Sequence, residues 1–113
     1  MNTYGIVSSA PVWLLEIAFL GAGFVNAFGP ASIQEGFVRW GYPRWWNYVT
    51  GSLEVVAGVM IATDSLRVAG LILALTICVA AGATLLRFRE FSHLPPAIAL
   101  GALAVAGLAL SLA

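Results

Sequence analysis

The sequence predicts an all-α, polytopic membrane protein: a four-helix bundle with a short interfacial segment between its first and second spans. Three observations carry that expectation. Hydrophobic residues make up 61% of the chain and charged residues only 9%, at a mean hydropathy of +0.97, whereas a soluble domain carries about 25% charged residues. The apolar residues fall into four stretches separated by Gly, Pro or charged turns. A helix across ~30 Å of hydrocarbon uses about 20 residues, so four short spans nearly exhaust a single domain of 113 residues. A large soluble catalytic domain is excluded.

The N-terminus lacks the basic region of a secretory signal and carries Glu16 where a signal would be apolar, so it reads as retained. The first span is expected over residues 11–28, with Pro11 suited to a helix start, Ser8 or Ser9 near the cap, and Gly29-Pro30 as the stop. Residues 30–45 change character, with two arginines, a glutamate, two tryptophans and a Gly41-Tyr42-Pro43 break. As a short helix this segment puts Ser32, Glu35 and Arg39 along one face and Ile33, Phe37 and Trp40 on another. Trp40, Tyr42, Trp45, Trp46 and Tyr48 read first as an aromatic belt, because each is an apolar body with one polar handle. A second span over 46–62 and a third over 66–86 form a hairpin around a turn marked by Asp64 and Arg67. The cluster Arg87, Arg89, Glu90 and His93 makes the next loop, and Pro95-Pro96 opens a fourth span to 112.

Small residues indicate which faces pack, because lipid tails are as apolar as leucine and close backbone approach drives helix association. The third span offers Gly70, Ala74, Cys78 and Gly82, and the fourth Ala99, Ala102, Ala106, Ala109 and Ala113. In the second span the small residues flank an acid: Gly51, Glu54 and Gly58 share a face, which points Glu54 at a neighbouring helix. Glu16, Gly23 and Asn26 lie broadly on one side of the first. At ~1.5 Å rise per residue Glu16 lies roughly 8 Å, and Glu54 ~12 Å, from the respective helix starts. If the two helices are neighbours the carboxyls can approach, and two acids close together in low dielectric cannot both ionise easily, so one is expected to hold its proton. An ionisable group at membrane depth is a functional-site hypothesis by default.

The net charge is zero, from five arginines and five acids, and no basic stripe points to nucleic acid. Cys78 stands alone and reads as a small buried hydrophobe. There is no CxxC, histidine cluster or glycine-rich phosphate loop, hence no metal or cofactor signature. The loops after spans one and three hold four of the five arginines, which puts those loops in the cytoplasm and both termini outside by the positive-inside rule.

Taken together, Gly23-Phe24-Val25-Asn26, Phe37, Gly41-Tyr42-Pro43, Gly51-x-x-Glu54-x-x-x-Gly58 and a histidine near the end of the third span resemble the DoxX-like family over nearly the whole chain. The resemblance implies a small four-helix protein of the bacterial inner membrane. The family is named after a subunit of a membrane thiosulfate:quinone oxidoreductase, and other members are linked to membrane oxidoreductase complexes or, in a distant animal relative, to receptor assembly. Many members have lysine where this chain has Asn26, so Glu54 loses a cationic partner here unless Arg39 reaches inward to replace it.

Three functions follow as expectations. The favoured one is a lipid-phase binding protein holding a quinone or isoprenoid-like molecule, with Glu54 and Glu16 as acids and Asn26, Arg39, Tyr42, Trp46 and His93 as ligand-binding residues. A quinone is the one candidate cofactor, and membrane lipid, a homo-oligomer or a larger membrane complex are the expected partners. The second is a stand-alone isomerase, cyclase or epoxide-opening enzyme in which one acid donates and the other accepts a proton. The third is an assembly scaffold whose acids and arginines bind a client's transmembrane segments.

Overall fold

The computed structural model describes residues 10–112; the expected cap at Ser8 or Ser9, the N-terminal segment and Ala113 lie outside the described residues. Five α-helices and no strands are found among the described residues: α1 Ala10–Phe28, α2 Ala31–Arg39, α3 Trp46–Ala62, α4 Arg67–Arg87 and α5 Leu94–Leu112. Single 3₁₀ turns at Asp64–Leu66 and Phe91–His93 lead into α4 and α5.

The helix boundaries follow from local chemistry. Gly29 follows the last residue of α1, and Pro30, with φ −61° and ψ 158°, precedes the first of α2. Arg67 donates from Nε to the Ile61 carbonyl at 2.9 Å and pairs with Asp64 at 2.8 Å, so it satisfies an end-of-helix carbonyl while closing the α3–α4 turn. Three stretches, Ala10–Phe28, Asp64–Arg87 and Phe91–Leu112, are long and apolar enough to cross a membrane. The expected second span, α3, has 17 residues. It stops where Thr63 turns to extended backbone (φ −96°, ψ 119°), and its first turn holds Asn47 and Tyr48.

The four longer helices pack in the order α1–α3–α4–α5, and α5 returns to α1 over a shorter contact. Their core is formed by Val12, Leu15 and Phe19 of α1, Ala57 and Ile61 of α3, Leu71, Ala74 and Cys78 of α4, and Ala104 of α5. Large apolar side chains such as Ile17, Val59, Ile72, Val79 and Ile98 point outward and are exposed. So much outward apolar surface suits lipid and would be a liability in water. The molecule is a small membrane protein.

Glycines fix the closest approach. A Cβ on Gly23 would lie 2.7 Å from the Gly51 carbonyl oxygen, and one on Gly51 would lie 2.6 Å from that of Gly23. The two backbones therefore touch. Gly70 serves the same purpose between α4 and α3, where an added Cβ would lie 2.8 Å from the Ile61 nitrogen. The alanine stripe expected to pack in α5 is corrected: Ala99, Ala102 and Ala109 are exposed, and Ala104 and Gly107 are buried instead. The fourth span has small residues on more than one face. The face that wins is the one carrying Gly107, where an added Cβ would meet Leu71 at 3.0 Å and Val12 at 3.3 Å.

Candidate functional site

Because α1 and α3 meet through glycines, the polar side chains beside those glycines are forced into each other's reach. Glu54, one turn after Gly51, is 7% exposed, and its Oε1 accepts a hydrogen bond from the Asn26 amide nitrogen. Asn26 thus occupies the partner position that the sequence comparison left open, as a neutral donor. Arg39 does not take that role. Its guanidinium pairs with Glu90 at 2.8 Å and its side chain is 58% exposed.

Asn47 secures the same junction. It is 4% exposed, donates from Nδ2 to the Asn26 carbonyl at 2.9 Å, and accepts from Gln34 Nε2 at 3.2 Å. The last carbonyls of α1 lack intrahelical partners, and a buried amide at the start of α3 supplies one. Sequence reasoning missed this residue. Its signal was available: an amide between two tryptophans and a tyrosine, at the head of an apolar stretch.

The Glu54–Asn26 pair lies on a cavity of about 650 Å³, within the usual range for small-molecule sites of roughly 300–1,000 Å³. Its wall is mainly apolar, with Phe19, Ile33, Phe37, Ile77, Leu85 and Leu100. On α4 the lining runs from Ile77 to Leu85, a rise of ~12 Å. Ser32, Arg39, Glu90 and His93 contribute polar groups to the lining, and Ser32 and His93 are exposed.

Helix α2 roofs this space, contributing Ser32, Ile33, Gly36, Phe37 and Arg39, with Trp40 just beyond its end. Two helix ends of one type hold the roof in place. After α2, Tyr42 N–H bonds the Phe37 carbonyl at 2.9 Å and Gly41 N–H the Val38 carbonyl at 3.0 Å, with Gly41 at φ 87°. After α4, Glu90 N–H bonds the Leu85 carbonyl at 2.9 Å and Arg89 N–H the Leu86 carbonyl at 3.2 Å, with Arg89 at φ 56°. These are Schellman endings, which need a left-handed residue. They deliver the Trp40 indole N–H and the Arg39 guanidinium to one carboxylate, Glu90. The Trp40 N–H, and after it Arg39, hold the Glu90 carboxyl below the usual carboxylate range.

The other expected site residues divide. Asn26, Arg39 and His93 line the cavity with Glu54. Tyr42 and Trp46 do not: their rings stack at 5.6 Å and 5°, and the Tyr42 hydroxyl bonds Thr84 Oγ1 at 3.0 Å. They act as a strut between the α2–α3 connection and α4. Trp40, read first as part of a belt, lines the cavity.

Glu16 stands apart from this group. Its carbonyl lies level with Gly58, 3.4 Å from where that residue's Cβ would be. Glu54 reaches the other way, to Asn26, ten residues or ~15 Å further along α1. The geometry therefore separates the two acids that the sequence offered as a pair.

Comparison with curated proteins and with solved structures gave no match for the chain. The profile of the DoxX-like family matches residues 11–107, which include every side chain just described. The chain therefore belongs to the DoxX-like family.

Proposed function

We propose that this protein binds a lipophilic small molecule, a quinone or an isoprenoid-like compound, inside the membrane, with Glu54 meeting its polar head in a membrane redox system. One observation carries the reading: a carboxyl group 7% exposed faces a mainly apolar cavity of ligand size. Burying an acid is costly, and one at membrane depth marks a candidate functional site. Quinone chemistry moves protons with electrons, and Glu54 is placed to exchange a proton with a bound carbonyl or hydroxyl while a partner protein supplies the electrons. Asn26 orients the carboxyl through its amide.

In this reading all four long helices span the membrane. The outward apolar faces of α3, with Leu53, Val56 and Val59 exposed, support its inclusion despite its length, since spans of about 17 residues lie at the short end of the known range. Helix α2 rests at the interface, with Trp45 and Tyr48 exposed beside it. The arginine-bearing ends face the cytoplasm of a bacterial inner membrane and both termini face out. Further copies of the chain, or a larger membrane complex, complete the assembly.

The test is extraction with native lipids, followed by mass spectrometry of co-purified quinones, sterols and terpenoids from wild-type and Glu54→Gln protein. A compound retained by the wild type and lost from the variant is the expected result. Retention by both removes Glu54 from the site. A co-purifying membrane protein with no small molecule replaces the binding function with assembly.

A further inference from the structure

The cavity has two boundaries of different chemistry. Toward the helix ends it is closed by α2, whose last residue Arg39 and the Trp40 that follows it are both held by Glu90. A hydrocarbon chain leaving there would pass charged groups. The second boundary lies between α1 and α5, where Val25, Pro96, Ala97 and Leu100 form an apolar stretch of the lining between Asn26 on α1 and His93 just before α5. Val25 lines the cavity and is also 57% exposed, so cavity and exterior meet at that position.

The packing explains why this seam is open. Helices α1 and α5 approach at their far ends, where a Cβ on Gly107 would come within 3.3 Å of Val12. Val25 is thirteen residues from Val12, ~20 Å along α1. At the neighbouring α4–α5 junction a Cβ on Gly101 would lie 3.6 Å from that of Cys78, and a smaller apolar hollow of about 200 Å³ occupies that groove, sharing Cys78 and Ala97 with the cavity. On the other side, α1 and α3 are in backbone contact at Gly23 and Gly51. The α1–α5 seam thus has room beside the cavity, and Val25, Pro96, Ala97 and Leu100 give it apolar walls.

We infer that the cavity is filled from the membrane through the α1–α5 seam, by a ligand with a hydrogen-bonding head and an apolar chain. The head reaches Glu54 and Asn26, and the chain stays in the seam between Val25 and Ala97. This rests on the binding function proposed above and narrows its ligand to a chain-bearing lipid.

Two probes separate the claims: 2,3-dimethoxy-5-methyl-1,4-benzoquinone, which is chainless, and the same ring carrying a decyl chain. Binding is measured on the purified full chain in one detergent. Ala97→Phe fills the seam and is expected to weaken the decyl probe by about tenfold or more, as overpacking does, while leaving the chainless probe within about twofold. Glu54→Gln is expected to weaken both. Val25→Trp, on the opposite and lipid-exposed wall, is expected to act alike; an effect of Ala97→Phe with none from Val25→Trp would put the chain in the α4–α5 groove, which Ala97 also lines, and overturn the seam. If the seam variants weaken both probes equally or neither, with Glu54→Gln still weakening both, the seam is overturned and the Glu54 site stands. If neither probe binds the wild type, the quinone reading and the seam fall together.

Discussion

Glu54 can be buried because Gly23 and Gly51 let two backbones touch and bring Asn26 to its carboxyl. That dependence is measurable at single residues. In Gly51→Ala the new methyl would lie 2.6 Å from the Gly23 carbonyl oxygen. Backbone cannot swing aside as a side chain does, so thermal unfolding in detergent should show a loss of roughly 1–3 kcal/mol. Gly21→Ala, where nothing lies within 4 Å, should cost nothing and serves as the control. Asn47→Leu leaves the Asn26 carbonyl without its buried donor and should cost about 1–3 kcal/mol. A neutral Asn47→Leu would show that the end of α1 finds another partner. The face shared by Gly51, Glu54 and Gly58 was legible from spacing alone, because helical geometry fixes it. The identity of the acid's partner was not: the sequence offered only Arg39 as a replacement for the missing lysine, and Arg39 is instead held by Glu90, a residue 51 positions away.

At the scale of elements, the roof helix α2 is held by contacts made at its ends. Two left-handed residues, Gly41 and Arg89, turn the chain so that Trp40 and Arg39 meet Glu90. Gly41→Ala puts a side chain where left-handed backbone costs about 1–2 kcal/mol, and it should increase amide hydrogen exchange across α2. Glu90→Gln should do the same at neutral pH, by weakening the interactions with Arg39 and Trp40. The pH dependence has a definite sign. Because the folded-state value of Glu90 is depressed, the clasp contributes fully above its ordinary value of 4.5 and is lost as pH falls through the lowered one. Acid should therefore loosen α2 in the wild type but not further in Glu90→Gln; equal acid responses in both would move the sensitivity elsewhere. The helices themselves were readable to within a residue at most ends, since Gly29-Pro30, Asp64 and Pro95-Pro96 punctuate them. The packing face of α5 was not, because small residues occupy more than one of its faces and only contact with Leu71 and Val12 selects between them.

For the whole molecule, composition established a membrane protein, and the arginine distribution argues its orientation. Arg39 and Arg87 end α2 and α4, and Arg44 and Arg89 lie in the connections that follow, the two tied together by the Arg39–Glu90 pair. In a Cys78→Ser background, an impermeant thiol reagent applied to intact cells should label Ser65→Cys at once and Arg44→Cys only after permeabilisation; the opposite pattern would invert the protein. The paired-acid idea drawn from Glu16 and Glu54 failed to find a shared location, because sequence gives depth along each helix but not the offset between helices. That offset is set by the Gly23–Gly51 contact, which aligns Glu54 with Asn26 and leaves Glu16 near Gly58. What remains is one buried acid in a mainly apolar chamber, roofed at one end by α2 and, in the inference above, filled from lipid along the α1–α5 seam. Infrared difference spectroscopy with the decyl benzoquinone probe tests that account most directly. It predicts a carboxyl band that changes on ligand binding in the wild type and is absent in Glu54→Gln; a ligand that binds while the Glu54 band stays unchanged would contradict it.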